Sequence, residues 1–167
     1  MTVSSSELLD LSDPAARERL LPLCRLTPGQ AWCDQLRGHV VACGDATDAT
    51  LIRSLLKDSA QPNLAVHDPP YNLVAFERRP VDEYINWCRR WIDITHDLLA
   101  DDASLYVWLG ADQKRHFQPL PQFMAMIAAT QFESRSIITM RYLRGYGTRN
   151  NWMAVRHELL YYFKGAP

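Results

Sequence analysis

Apolar residues along this chain fall into two alternating rhythms from about residue 38 onward. His39-Val40-Val41-Ala42-Cys43 is a short apolar run closed by Gly44-Asp45, the pattern of a buried strand and its turn. Leu51, Ile52, Leu55 and Leu56 follow at helical spacing within 47–56. Leu64-Ala65-Val66-His67 is a second strand-like run, and it must end at Asp68-Pro69-Pro70 because proline has no N–H for a sheet ladder. Between Pro80 and about Ala100, the positions Val81, Tyr84, Ile85, Cys88, Trp91, Ile92, Thr95, Leu98 and Leu99 form one helical stripe. Residues 104–109 predict a third strand, ended by Gly110. Pro119 and Pro121 punctuate a helical stretch whose second part runs from Gln122 to about Thr130. Residues 136–140 and 157–163 predict two more strands, joined across a Gly- and Asn-rich loop at 145–151.

Strands alternating with helices predict an α/β domain with a mostly parallel sheet, its last two strands forming an antiparallel edge pair. Residues 1–37 read as a leader with short helices, for example 14–23, where Asp13 suits the N-cap and Pro14 the first helical position. Residues 38–167 read as the catalytic part.

Composition narrows the class only modestly. The 167 residues are 47% hydrophobic and 22% charged, ordinary for a globular protein. No stretch approaches the roughly 20 apolar residues of a membrane helix, and no secretory pattern opens the chain, so a cytoplasmic protein without membrane contact is expected. Cys24, Cys33, Cys43 and Cys88 are scattered without metal or disulfide spacing, so reduced thiols and no metal site are expected. With 18 basic against 19 acidic residues, net charge is -1, and no global basic face favours DNA. Basic residues instead cluster locally, at Arg78-Arg79, at Arg89-Arg90, and through Arg141, Arg144, Arg149 and Arg156.

The chemistry concentrates at Asp68-Pro69-Pro70-Tyr71-Asn72, where an apolar strand ends. Ligands of open α/β sheets gather at such carboxyl ends. Two prolines fix the backbone and remove its donors, so their carbonyls are rigidly presented. The lone pair of a nucleobase amine is delocalised into its ring. The Asp68 carboxylate and the Pro69 carbonyl can hold both N–H bonds of such an amine and turn its lone pair toward a sulfonium methyl, by positioning and electrostatics alone. A base must leave the duplex to reach this place, and Tyr71 offers it a stacking face. A rigid turn with a capping aspartate is the bland alternative. His67 beside Asp68 is a packing histidine more often than a metal ligand. Asn72, and Trp152 near the later glycines, are candidate substrate contacts, Trp152 equally suiting a core position.

The segments Leu26-Thr27-Pro28-Gly29-Gln30-Ala31-Trp32, Gly38 through Asp48, and His67 through Leu73 resemble bacterial and phage adenine-N6 or cytosine-N4 DNA methyltransferases. So do Arg144-Gly145-Tyr146-Gly147-Thr148, Asn151-Trp152 and His157-Glu158-Leu159-Leu160. The likeness is greatest to the permuted group, in which the catalytic motif precedes the glycine motif, and it covers about residues 26–165. It implies an incomplete Rossmann-like methyltransferase sheet, with S-adenosylmethionine as cofactor and DNA as partner. It also implies Asp68, Pro69, Pro70 and Tyr71 as catalytic motif, and Asp45 with Asp68 as cofactor contacts. A motif opening on aspartate favours adenine over cytosine. In the family order 3-2-1-4-5-7-6, the runs at 39–43, 64–67, 104–109, 136–140 and 157–163 take positions 3, 4, 5, 6 and 7.

The chain departs from the family in one respect. No Phe-x-Gly-x-Gly segment occurs in these residues, so positions 1 and 2 of the sheet are expected from a second chain or a further segment, or from self-association at the open edge. A split or truncated enzyme is one reading, and a non-catalytic DNA- or protein-binding module retaining the fold is the other. A cytosine-C5 enzyme is excluded because no cysteine follows a proline, and a Gly-x-Ser-x-Gly hydrolase elbow is absent. A glutamine-modifying enzyme would carry Asn in place of Asp68, and many RNA adenine enzymes carry Trp in place of Tyr71.

Overall fold

A computed structural model describes residues 14–15, 18, 26–34, 36–56, 60–72, 78–112, 115–148 and 151–165, with the side chains of 142–148 and 151–155 outside the description. Two compact units divide at Asp45, one being Met1–Asp45 and the other Ala46–Pro167. The helix expected at 14–23 lies largely outside the described residues.

In the first unit, β1 (Ala31–Cys33) pairs antiparallel with β2 (Val40–Ala42), with Trp32 opposite Val41. The run at 39–43 therefore forms a ribbon with a neighbouring segment and is no strand of the main sheet. It is also not buried, since Trp32 is 56% and Val41 54% exposed. Local closure decides this: the Asp34 N–H donates to the His39 carbonyl and the Gly38 N–H to the Asp34 carbonyl, both at 2.7 Å. Gly38 adopts φ +72°, which a residue without a Cβ takes at no steric cost.

The second unit opens with α1 (Ala49–Leu55). Asp48 caps it, its carboxylate accepting from the N–H groups of Thr50 and Leu51 at 2.9 and 3.1 Å. Then come β3 (Leu64–His67), α2 (Val81–Leu98), β4 (Ser104–Leu109), α3 (Leu120–Ile127), β5 (Glu133–Thr148) and β6 (Asn151–Phe163). Their sheet has the order β3-β4-β6-β5. β3 runs parallel to β4, while β6 lies antiparallel to both β4 and β5. The order matches positions 4-5-7-6 of the family sheet, with the antiparallel pair at one edge and β3 at the other.

One face of this sheet carries the core. Leu105, Val107 and Leu109 of β4 and Leu160 and Tyr162 of β6 are buried together with Tyr84, Cys88, Trp91 and Ile92 of α2 and Phe123 and Ile127 of α3. The α2 contacts recur every three or four residues, as the stripe requires. Lys164 fastens the end of β6 to the end of α2, its ammonium donating to the His96 and Leu99 carbonyls at 3.0 and 2.8 Å. The opposite face carries Leu64 and Val66, 52% and 59% exposed, and Tyr106 stacked on Tyr161 at 4.5 Å.

Two boundaries differ from the sequence expectation. α3 starts at Leu120 because Pro121 occupies its first turn, where a missing N–H costs nothing. The last two strands run far longer than expected. Their pairing continues to Thr148 opposite Asn151, so most of the supposed loop at 145–151 is ladder, interrupted by register shifts around Arg141–Tyr146 and Tyr146–Thr148. Shifts of this kind absorb extra residues without ending a hairpin.

Candidate active site

β3 delivers Asp68 to the carboxyl edge of the sheet, and the four motif residues leave it as irregular backbone. The Asp68 side chain is exposed, while Pro69, Pro70 and Tyr71 are partly buried. Three contacts fix their path. The Tyr71 hydroxyl donates to Asp68 Oδ1 at 2.8 Å, so the aromatic residue of the motif steadies its carboxylate. Its ring meets His157 of β6 edge-on at 5.6 Å between centroids. From α2, the Tyr84 hydroxyl donates to the Pro70 carbonyl at 2.8 Å. Burial pushes the Tyr84 phenol well above its ordinary range, so it stays a donor.

Asn72 closes the motif in a way the sequence did not show. It is 7% exposed with φ +58°, in the left-handed region that asparagine tolerates better than most residues. Its Oδ1 accepts from the Arg79 N–H at 2.8 Å, and its Nδ2 donates to the Arg79 carbonyl at 2.9 Å. Both polar atoms of the side chain thus clasp the start of α2 back onto the motif. As a sequence candidate, Asn72 was a substrate contact; its side chain here serves the loop.

Behind the motif, His67 Nε2 lies 2.9 Å from Thr95 Oγ1, and its ring packs on Trp91 at 4.9 Å. His67 is therefore a packing residue of the sheet–helix junction. Among the described residues, no three His, Cys, Asp or Glu side chains gather as a metal site.

The remaining candidates are placed less fully. Asp45 is exposed and is the last residue of the first unit. Trp152 falls within β6, and its side chain is outside the described residues. Asp68, Pro69, Pro70, Tyr71 and Asn72 are brought together. Tyr84 and Arg79 join them from α2 and the segment leading into it. Tyr84 belongs to the apolar stripe of α2, and its hydroxyl is the one sign in the sequence of a second role.

Comparison with known proteins adds to this geometry. A family model described as DNA methylase matches residues 63–166. Among curated proteins, the chain is similar to the Type II methyltransferase M.BglII of Bacillus subtilis, at 29% identity over 111 residues, covering 63% of this chain and 30% of that protein. Among solved structures, it is similar to a Thermus thermophilus protein described as a DNA modification methylase, with a TM-score of 0.53 and 19% identity, covering 74% of this chain and 52% of the other. M1.HpyAVI in its SAM complex gives a TM-score of 0.47 at 12% identity, covering 72% and 55%. The chain thus spans 30% of the curated relative it matches and about half the length of these solved chains.

Proposed function

Because the chain belongs to the N6/N4 DNA methylase family, we propose that its Asp68 site transfers a methyl group from S-adenosylmethionine to the exocyclic amine of a flipped DNA base, adenine N6. The observation that carries this reading is an exposed carboxylate held at the end of β3 by Tyr71, on a backbone that Tyr84 and Asn72 brace from α2 and the residues just before it. Such bracing fixes acceptors before the substrate arrives, the condition under which electrostatic positioning accelerates a reaction.

In this reading Asp68 Oδ1 is oriented by the Tyr71 hydroxyl, and the rest of the carboxylate accepts one N–H of the amine. The Pro69 carbonyl accepts the other, the Pro70 carbonyl being engaged by Tyr84. The amine lone pair is thereby directed out of the ring plane. The cofactor, when bound, supplies the electrophilic methyl group. Asp68 is an exposed carboxylate suited to its donors. Tyr71 gives the flipped base an aromatic neighbour.

We further propose that the catalytic unit works with a glycine-motif segment, on this or a partner chain, set along the free edge of β3. Support comes from the apolar character of that edge strand, with Leu64 and Val66 exposed. Without that segment, the same edge is the place for self-association.

The test is methyl incorporation into DNA by the protein supplied with its completing segment, followed by nucleoside analysis. N6-methyladenine is the expected product, and Asp68→Ala is expected to lower incorporation by about 10²–10³ with cofactor binding retained. Equal incorporation by Asp68→Ala would remove the residue from catalysis, and N4-methylcytosine would move the target to cytosine.

A further inference from the structure

A small cleft opens directly behind the motif, where Asn72 is clasped to Arg79. Its space is about 80 Å³, and three guanidinium side chains line it, Arg78, Arg79 and Arg115, beside Gln118. We infer that this cleft is a phosphate-binding site for the DNA strand carrying the target base, holding a backbone phosphodiester while the base sits at Asp68. The inference rests on the DNA reading above and adds a site that reading does not contain.

Charge is the first argument. The chain as a whole carries a net charge of -1, so a generally basic surface does not draw DNA to it. The cleft gathers three cations, and Asp112 is the carboxylate that two of them face. Arg78 lies 3.5 Å from Asp112 Oδ2 and Arg115 lies 3.9 Å from the same oxygen. Two guanidinium groups thus share one carboxylate at distances beyond a good hydrogen bond. Arg79 is held over the Trp87 ring, 5.7 Å from its centroid. Among these described residues, three guanidinium groups stand against one carboxylate. The carboxylates of Asp82 and Glu83 stand exposed in the first turn of α2 without lining the cleft.

Geometry is the second. Guanidinium forks match the paired oxygens of a phosphate. The third is backbone strain. Among the described residues, the left-handed non-glycine positions are Asn72, His116 and Phe117, at φ 58°, 54° and 62°. Asn72 lines the cleft, and the other two lie between Arg115 and Gln118, which also line it. Residues held in this region are strained and cluster at functional sites. Here they bend two separate loops to one point. A flipped base leaves its flanking phosphates displaced, and contacts to phosphates are what fix register on a strand.

The site is read from the salt dependence of DNA binding, measured by fluorescence anisotropy on the full chain without cofactor, using a short labelled duplex between about 50 and 200 mM salt. Arg78→Gln/Arg115→Gln is expected to bind more weakly and to flatten the slope of log K against log salt by about 1–2. Arg78→Lys/Arg115→Lys keeps both charges and should keep the slope. Arg89→Gln, which removes a surface ion pair with Asp93 outside the cleft, should leave it unchanged. Equal slopes for the parent and the glutamine pair, an equal flattening by Arg89→Gln, or no salt-dependent binding by the parent would each overturn the site. Methyl incorporation is read separately, with the completing segment present, so an absent reaction beside a flattened slope in the glutamine pair counts against the reaction alone.

Discussion

His67 stands one residue ahead of the carboxylate, and its protonation state follows from the bonds around it. Thr95 Oγ1 donates its only proton to the Trp91 carbonyl at 2.7 Å, so the 2.9 Å contact with His67 requires Nε2 to carry the ring hydrogen. Burial pushes the imidazole down from 6.5 to about 4, and the ring is neutral at neutral pH. An unfolded chain binds a proton there at higher pH than the folded one does. Stability from this group is therefore fully present above pH 6.5 and is lost as pH falls toward 4, with a slope of up to about 1.4 kcal/mol per pH unit. Urea unfolding across that window should show the parent losing stability more steeply than His67→Gln, whose amide still donates to Thr95. Parallel profiles would mean that the imidazole is not held neutral. At this scale the sequence revealed what is contiguous. Asp68 through Tyr71 could be proposed together because the four are adjacent in the chain. The Asn72 clasp and the Tyr84 hydroxyl bond were not legible, because each depends on where α2 returns in space.

Elements were more legible than their ends. The runs at 64–67 and 104–109 coincide with β3 and β4, and the stripe from Val81 gave α2, since burial against one partner imposes a simple period. The lengths of β5 and β6 were not legible, because glycines at 145 and 147 look like loop residues while the ladder passes through them with shifted register. β2 was misplaced for another reason: a three-residue apolar run does not say which strand it pairs with. β3 carries the element-scale expectation. It has β4 on one side, and Val66 is 59% exposed on a strand that reads Leu-Ala-Val-His. Charge on an edge strand discourages edge-to-edge pairing. Val66→Lys should therefore lower the weight-average mass in sedimentation at high protein concentration and spare the fold. An unchanged mass with intact circular dichroism would place any association elsewhere.

At the scale of the whole molecule, the sheet order β3-β4-β6-β5 covers one side of a methyltransferase sheet, and the chain spans about half of its solved neighbours. The order of these four strands was legible only through the family resemblance, which assigned the runs to positions 4, 5, 6 and 7. The partner proposed along β3 was not legible, since an edge strand carries no description of what pairs with it. The cofactor consequence follows from counting contacts. Asp68 offers one carboxylate, but these residues lack the glycine turn that cradles the methionine part. One hydrogen bond to a charged group is worth roughly 1.5–3 kcal/mol, whereas even millimolar affinity requires about 4 kcal/mol. The chain by itself is therefore expected to bind S-adenosylmethionine more weakly than millimolar and to transfer no methyl group, and adding a glycine-motif segment should restore both. Calorimetry on the purified chain decides the matter: micromolar binding by a monomer would show that these residues hold the cofactor without that segment, and the proposal of a completing partner along β3 would fall.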